Sequence, residues 1–299
     1  MFIDCHLHTI IRKGLPRNDS GDNYAIPEEL ITMMNRTGVD KGVLLPGISP
    51  ECHFQYSPTE DILDVAAKYP DRFIPFCNID PRAESNSPDS NLSRQLRYYK
   101  ERGCKGVGEL CANIHFDDPL TLNLFKHCET CELPALFHIG PRAGGCYGLI
   151  DDIHLPRMEK CLRLFPKLIF IGHSQPFWSE ISADVTEKNR NTYPPGMIAS
   201  GGAIPRLLDA YPNLQCDISA GSGYNALTRD PEFGYRFMEK YQDRLLFGTD
   251  ICSPKNNHKH AEFLRKAFAD GCISKTAFEK ISWQNLNRIL RLGYNPHIS

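Results

Sequence analysis

The sequence predicts a single-domain α/β protein with the (β/α)8 architecture of a TIM barrel, and three observations support this prediction. Short apolar runs alternate along the chain with segments of helical periodicity, and eight of each can be counted. The runs are nearly continuous in apolar character, as in strands that are covered on both faces. A length of 299 residues suffices for eight strand–helix units around one core.

Local signals define the elements in chain order. Pro27 and Pro119 stand where the first turn of a helix tolerates proline, and Tyr69, Phe165 and Tyr211 each end a helix just before a proline. The predicted strands are Phe2–Cys5, Gly42–Leu45, Phe73–Cys77, Gly106–Leu110, Ala135–His138, Leu168–Gly172, Leu214–Ile218 and Leu245–Gly248. The predicted helices are Pro27–Thr37, Thr59–Tyr69, Leu92–Arg102, Pro119–Cys131, Pro156–Phe165, Ala203–Tyr211, Glu232–Gln242 and His260–Ala269.

An open, doubly wound sheet is the alternative arrangement of these elements. Such sheets often carry a glycine-rich phosphate loop after the first strand, whereas this chain has His6-Leu7-His8-Thr9 there, which favours the barrel. We expect one domain over residues 1–299. Within it, Ser179–Gly202 would form a long connection over the site, and a final helix around Ala277–Leu292 would pack on the barrel wall.

Composition and charge exclude several classes of partner. The formal net charge is −2, so the basic excess of a nucleic-acid-binding surface is missing, and no stretch is apolar enough to predict a membrane span. Without a signal peptide before Phe2, the 12 cysteines indicate a cytoplasmic protein with reduced thiols rather than a disulfide framework. The pair Cys128 and Cys131 lies inside a predicted helix, which argues against a redox or zinc motif.

Polar residues at the ends of the predicted strands carry the chemistry. His6 and His8 are two positions apart, so in an extended strand both imidazoles point to one side. The ends of four other predicted strands hold Glu109, His138, His173 and Asp250. TIM barrels build their sites at these ends, so we expect a nitrogen and oxygen site suited to zinc, with manganese or iron as second choices.

Ordinary structural roles remain open for the same residues. His138 and His173 could be hydrogen-bonded core histidines, and Asp250 could cap the following helix. The remaining histidines fall on no predicted strand end, and we leave them out of the site: His53, His115, His127, His154, His258, His260 and His297.

At these positions the chain resembles the amidohydrolase superfamily, and within it the amidohydrolase-related (amidohydrolase 2) branch of metal-dependent hydrolases, which also contains decarboxylases and lactonases. The resemblance extends over essentially the whole chain. The segments that carry it are Ile3-Asp4-Cys5-His6-Leu7-His8, His138, Phe170-Ile171-Gly172-His173-Ser174, Leu246-Phe247-Gly248-Thr249-Asp250 and Ile281-Ser282-Trp283-Gln284-Asn285.

The resemblance implies a role for each residue. His6, His8 and His138 would bind a divalent metal, most readily zinc. Asp250 would contact the metal and accept a proton from its bound water, whose pKa the metal lowers from about 15.7 toward 7. His173 would either bind a second metal or act as a general acid beside the first.

Glu109 decides between one metal and two. Two-metal members of the superfamily place a bridging carboxylate at the end of strand three or four, and Gly108-Glu109 resembles the Gly-Glu pair of the TatD-like deoxyribonucleases. Lys105 begins its strand and is at the wrong end to bridge. The alternative role for Glu109 is to orient a ligand histidine or to bind substrate.

Substrate contacts are expected from three further residues. Arg142 follows His138 and could pair with a substrate carboxylate, although a surface position fits it equally well. Trp178 follows His173, and Ser222 lies in a glycine-serine segment that could offer N–H groups to an anion or be an ordinary loop.

The predicted function is metal-dependent hydrolysis of an amide, lactone or ester bond in a small, carboxylate-bearing molecule. Non-oxidative decarboxylation on the same scaffold is the alternative, since it uses the same ligands. A TatD-like nuclease is less favoured, because no basic groove accompanies Glu109. The resemblance also makes a homodimer a reasonable expectation, but no sequence feature shows an interface.

Overall fold

The structure, a computed structural model, describes residues 1–295 and contains nine parallel strands. These are β1 (Ile3–Leu7), β2 (Lys41–Leu44), β3 (Phe73–Pro75), β4 (Val107–Leu110), β5 (Ala135–Gly140), β6 (Leu149–Ile150), β7 (Phe170–His173), β8 (Leu214–Asp217) and β9 (Leu245–Leu246). Eight of them form the barrel wall in the order β1-β2-β3 and β4-β5-β7-β8-β9, while the short β6 pairs with the end of β5.

Two sets of backbone hydrogen bonds join these sheets into a closed barrel. Between β3 and β4, Cys77 N–H donates to the Gly106 carbonyl at 3.0 Å. Between β9 and β1, Cys5 N–H donates to the Phe247 carbonyl at 2.9 Å, and farther along Asp250 N–H donates to the His6 carbonyl at 2.9 Å. The predicted (β/α)8 barrel is therefore confirmed, and the open sheet is not.

Helices cover the outside of the barrel. They are α1 (Pro27–Thr37), α2 (Thr59–Lys68), α3 (Ala83–Asn86), α4 (Ser93–Glu101), α5 (Pro119–Thr130), α6 (Pro156–Leu164), α7 (Gln175–Ser179), α8 (Ala203–Ala210), α9 (Ala220–Thr228), α10 (Pro231–Lys240), α11 (His260–Ala269), α12 (Lys275–Glu279) and α13 (Asn285–Leu290). A π-helical turn, Lys280–Gln284, joins α12 to α13. Among residues 1–295, no helix has both the length and the apolarity that a membrane crossing needs.

The barrel interior is apolar at the end away from the site. Side chains of the strands pack there in a layer with the terminal helical segment, whose Trp283, Leu286 and Leu290 close the bottom of the barrel. The predicted final helix is thus present, but it contains the π-helical turn. It packs against the end of the barrel away from the site and not on the barrel wall, where it was predicted. Residues 180–202, between α7 and α8, contain turns, bends and irregular backbone, so the predicted long connection is present but begins one residue later than predicted.

Three helices, α3, α7 and α9, were not predicted. Helix α9 occupies the segment from Ala220 onward that could have been a glycine-serine loop, and α7 begins directly after His173. Helix α7 is capped by Ser174, whose Oγ accepts from Phe177 N–H at 3.2 Å. The pair Cys128 and Cys131 lies at the end of α5, and both thiols are buried and free.

Candidate metal centre

His6 and His8 point their imidazoles at one point inside the mouth of the barrel. Their Nε2 atoms lie 3.0 Å apart, and both side chains are buried. The register of β1 against β2 shifts between Asp4 and Leu7, so His6 turns inward immediately after Cys5, which also faces the barrel interior. The predicted same-side arrangement of the two imidazoles is what the structure shows.

Two carboxylates complete a cage around these nitrogens. Glu109 Oε2 lies 3.5 Å from His6 Nε2 and 3.4 Å from His8 Nε2, and Asp250 Oδ1 lies 3.5 and 3.6 Å from the same atoms. An ion about 2.0–2.1 Å from four tetrahedral ligands separates them by about 3.3–3.4 Å. The measured spacing therefore fits one zinc-sized cation.

Each carboxylate turns its second oxygen toward the other two histidines. Glu109 Oε1 is 2.8 Å from His138 Nδ1 and 4.0 Å from His173 Nε2, while Asp250 Oδ2 is 3.9 Å from His173 Nε2. This second group is wider than the first, but it has the same nitrogen and oxygen composition. Glu109 thus lies between the His6 and His8 pair and the His138 and His173 pair. Among residues 1–295, the ligand atoms that lie within 4.8 Å of one another are those of His6, His8 and Asp250 and those of His6, Glu109 and His173, and His138 belongs to neither set.

Hydrogen bonds behind the cage fix the tautomers of its histidines. Asp217 Oδ2 lies 2.7 Å from His6 Nδ1, which donates to it. His173 Nδ1 lies 3.1 Å from both Asp217 Oδ2 and Ser219 Oγ, and because Ser219 Oγ donates its own proton to Asp217, both oxygens act as acceptors for the His173 Nδ1–H. Both Nε2 lone pairs therefore face the cage. His8 Nδ1 donates to the Leu45 carbonyl at 3.3 Å. Ligand histidines of metal sites are oriented in this way.

Asp217 was not among the predicted site residues, although the sequence offered a signal. It is a fully buried carboxylate inside an apolar strand, and such a position needs partners. It also accepts from Ser219, through Oγ at 2.8 Å and N–H at 2.9 Å. The Trp178 indole N–H donates to the Asp217 carbonyl at 2.8 Å.

A second buried carboxylate, Asp4, supports the strand that carries Asp250. It accepts from Thr249 Oγ1 at 2.6 Å, from Thr249 N–H at 3.0 Å and from His6 N–H at 2.9 Å. Burial raises the pKa of Asp4 to about 7, although the bonds from Thr249 and His6 oppose that shift. Asp4 therefore ties the backbones of β1 and the Asp250 loop together.

Asp250 and Glu109 both occupy unusual backbone positions. Asp250 has φ +59°, a left-handed conformation that aspartate and asparagine tolerate better than most residues. Gly108, before Glu109, has φ +143°, and a Cβ there would lie 2.5 Å from the Leu136 carbonyl oxygen. Glycine is therefore required for β4 to approach β5 beneath Glu109.

The electrostatics of the cage favour a cation. Burial opposes ionisation of Glu109, but His6 and the hydrogen bonds of the surrounding histidines outweigh it and hold the pKa of this carboxyl well below its usual range. The pKa of Asp217 is lowered in the same way by His6 and His173. Burial alone would lower the pKa of His6, yet Asp250, Glu109 and Asp217 raise it well above its usual value.

The carboxylates of Glu109, Asp217 and Asp250 have only histidines as ion-pair partners in the described part of the chain. No lysine or arginine neutralises them there. The three negative charges and the converging imidazole nitrogens thus fit a divalent cation, and the donor set suits zinc or manganese.

The expected substrate contacts lie at different depths. Arg142 is exposed, whereas Trp178 is buried behind the cage with its indole bonded to Asp217. Ser222 is buried in α9, and its Oγ has no hydrogen-bond partner within residues 1–295. A role for Arg142, Trp178 and Ser222 in substrate binding remains a prediction. The hydrogen bond from the buried Trp178 indole to the Asp217 carbonyl instead makes Trp178 a support for Asp217.

A cavity of about 510 Å³ opens beside His138. The Tyr147 ring packs on that of His138 with centroids 4.5 Å apart. Further lining residues are Glu51, Asn113, Cys146, Gln175 and Asn191. Glu51 is paired with Arg82 at 2.7 Å, so amides, a thiol and a phenol dominate the polar surface of this cavity.

Among the histidines left out of the predicted site, His53 packs beside the cage, with its ring centroid 6.1 Å from that of His8. No strand-end signal marks His53, because it stands inside the loop that follows β2. His297 lies outside the described residues.

The chain matches a known protein family and is similar to several solved structures. A family model described as Amidohydrolase matches residues 3–292. No functionally curated protein matches the sequence at a significant level. One similar structure is an uncharacterized TIM-barrel protein from Bordetella bronchiseptica, with 20% identity, coverage of 97% of this chain and 98% of that chain, and a TM-score of 0.66.

Two further similar structures are named as enzymes. A probable 2-pyrone-4,6-dicarboxylic acid hydrolase from Acinetobacter baumannii shares 13% identity, over 97% of this chain and 99% of that chain, with a TM-score of 0.54. A dihydroxybenzoic acid decarboxylase from Polaromonas sp. JS666, with bound manganese, shares 16% identity over 92% and 88% of the two chains, with a TM-score of 0.55. At these identities the likeness shows the fold.

Proposed function

This chain belongs to the amidohydrolase family, and from that premise we propose that it is a metal-dependent hydrolase that cleaves a C–N or C–O bond of a small molecule. The bonds concerned are those of amides, lactones or esters. The observation that carries the proposal is the position of Glu109, whose two oxygens face different pairs of histidines.

Two divalent ions, zinc or manganese, would fit the two donor groups. His6 and His8 would hold one ion and His138 and His173 the other, with Glu109 between them. Such ions lower the pKa of a coordinated water from about 15.7 toward 7 and polarise a carbonyl oxygen. This is the chemistry that hydrolysis at neutral pH requires.

Asp250 is the proposed proton acceptor. Its side chain is 27% exposed, whereas that of Glu109 is 6% exposed, so it is the cage carboxylate that water and substrate reach. It would take the proton from the attacking water and pass it to the leaving nitrogen or oxygen. Asp217 would hold His6 and His173 in the required tautomer throughout.

Non-oxidative decarboxylation is the second candidate. It is favoured by the manganese-containing decarboxylase among the similar structures and would use the same histidines. A bridging carboxylate is the feature that ranks hydrolysis first. The expectation of a carboxylate on the substrate stays a prediction, since the cavity beside His138 is lined by amides and a paired glutamate.

One assay separates the two reactions. Protein reconstituted with zinc or with manganese is incubated with a panel of lactones, esters and amides. Hydrolysis of the lactones and esters is followed by proton release with a pH indicator, and hydrolysis of the amides by the free amine that it forms. Hydroxybenzoates are tested in parallel for release of CO2. Hydrolysis that disappears in Asp250→Asn supports the proposal, whereas CO2 release without hydrolysis overturns it in favour of a decarboxylase.

A further inference from the structure

Tyr24 and His53 form a hydrogen-bonded pair beside the cage. The Tyr24 hydroxyl bonds to His53 Nδ1, and the ring centroids are 5.3 Å apart. Both residues are buried, with 5% and 8% of their surfaces exposed. The His53 ring also lies 6.1 Å from that of His8, so the pair extends from the loops above the barrel to a cage histidine.

The hydrogen-bond partners fix the proton positions of this pair. The Arg17 guanidinium lies 4.5 Å from the centroid of the Tyr24 ring, and an arginine can donate but cannot accept. Arg17 therefore offers no acceptor, and among residues 1–295 His53 Nδ1 is the only acceptor bonded to the Tyr24 hydroxyl, so we assign the buried O–H as the donor. A neutral imidazole that accepts at Nδ1 carries its proton on Nε2, so His53 offers an N–H donor from its other nitrogen.

That donor has no partner in the protein. Among residues 1–295, His53 Nε2 makes no hydrogen bond, and it is not one of the fully buried unpartnered atoms. Gly47 packs against the ring, and a Cβ at Gly47 would come within 2.8 Å of Nε2. The absence of a side chain at Gly47 thus makes room for the His53 ring. Because Nε2 is unbonded but not fully buried, it remains accessible to solvent.

The charges that face His53 come from several elements. They are His8 and Arg17 from the segment after β1, Glu109 from β4, and Asp250 from the loop after β9. Burial, followed by the neighbouring His8, lowers the pKa of His53 to about 4. The hydrogen bond that Nδ1 accepts from Tyr24 independently requires an imidazole whose proton is on Nε2.

We propose that His53, held by Tyr24, is a further substrate-contacting residue whose Nε2–H donates to a substrate oxygen beside His8. The chemical class it recognises is a carbonyl oxygen or the tetrahedral oxyanion that this oxygen becomes. The proposal rests on the proposed hydrolytic function, because hydrolysis builds negative charge on that oxygen. A preorganised donor aimed at such charge contributes to catalysis.

Binding of a tetrahedral anion tests this without an assay of turnover. Cobalt-loaded protein is titrated with methylphosphonate, and the visible absorption of cobalt reports the dissociation constant. His53→Phe should bind methylphosphonate about 10- to 100-fold more weakly, the effect of losing a hydrogen bond to a charged group. His53→Gln, which keeps an N–H donor, should recover part of the loss.

Tyr24→Phe tests the pairing itself. It should weaken methylphosphonate binding by a smaller factor than His53→Phe, and the double variant should bind no more weakly than His53→Phe alone, because the two residues act as one unit. Cobalt content and thermal midpoint are measured for every variant, and His127→Phe serves as the control, because His127 bonds to Ser93 between the outer helices α4 and α5, away from the cage.

The outcomes separate this inference from the proposed function. Unchanged methylphosphonate affinity in His53→Phe, within twofold and at equal cobalt content, overturns the inference, as does a wild-type protein that does not bind the anion. Weaker methylphosphonate binding in His53→Phe, combined with a wild-type protein that hydrolyses none of the lactones, esters and amides, supports the His53 donor and counts against hydrolysis.

Discussion

Asp217 Oδ2 lies 2.7 Å from His6 Nδ1, and this buried contact sets the direction of the first cage histidine. The same oxygen lies 3.1 Å from His173 Nδ1, so one carboxylate orients a histidine of each donor group. The two candidate metal positions therefore share a support as well as the bridging Glu109.

Replacing that support should weaken the metal site. Asp217→Asn removes the charge and places an amide where two imidazole N–H groups need an acceptor, and we expect about 10- to 100-fold weaker zinc binding. Competition with a chromophoric chelator measures the affinity. The matched control is Asp151→Asn, another buried carboxylate, which accepts only from backbone N–H groups such as that of Met158 at 2.8 Å. Equal zinc affinities in the two variants would contradict the role of Asp217.

Asp250→Asn should abolish most activity while the barrel stays folded. Asparagine adopts the left-handed backbone of this position, but it cannot accept the proton of the attacking water. We expect kcat to fall by about 10²- to 10⁴-fold, with a thermal midpoint close to that of the wild type. Activity within tenfold of the wild type would show that another group is the base.

Gly108→Ala should destabilise the protein more than a glycine replacement in open space. The added Cβ would meet the Leu136 carbonyl at a backbone angle that alanine rarely adopts, so we expect a loss of about 2–4 kcal/mol in the free energy of unfolding. Gly103→Ala is the control, because Gly103 also has positive φ, at +102°, but has nothing near its Cβ position. Urea denaturation should give about 1–2 kcal/mol for this control, and equal losses would argue against the close approach.

His260 should make stability fall in acid. Its Nε2–H donates to the Ala220 carbonyl at 2.8 Å, and burial lowers its pKa to about 4 from an ordinary 6.5. Between these values the unfolded chain binds a proton that the native state does not, so stability falls as the pH falls. The loss between pH 7 and 4.5 is about 2–3 kcal/mol.

The variant His260→Gln isolates that contribution. Glutamine keeps an N–H donor for Ala220 but does not titrate, so its free energy of unfolding should depend less on pH by about 2–3 kcal/mol over the same interval. Urea denaturation of both proteins at pH 7 and pH 4.5 measures the difference. Parallel pH profiles would show that His260 is not a buried neutral imidazole.

Much of the architecture could be predicted because barrel strands and helices have local signals. All eight predicted barrel strands are present, and two helices, Pro27–Thr37 and His260–Ala269, have the predicted bounds. Strand ends differ by at most two residues from the predicted ones, since pairing with neighbours and not the apolar run decides where a strand stops. Helix α9 was missed because its first turn, Ala220-Gly221-Ser222-Gly223, has weak helix propensity.

The cage residues were predictable for a different reason. His6, His8, Glu109, His138, His173 and Asp250 all stand at strand ends, and the closed barrel brings those ends to one mouth. Asp217 and the pair Tyr24 and His53 were not predicted. Their roles depend on contacts across the barrel, such as that of Asp217 with His6, 211 positions away in the sequence.

Metal stoichiometry tests the central claim most directly. Protein is purified without chelator or a metal-binding tag, saturated with zinc, desalted, and analysed by inductively coupled plasma mass spectrometry beside Glu109→Gln and the control Glu51→Gln. We predict about two zinc ions per chain in the wild type and in Glu51→Gln, and one or fewer in Glu109→Gln. A wild-type protein that saturates at one ion, with the same content in Glu109→Gln, would contradict the bridged two-metal site.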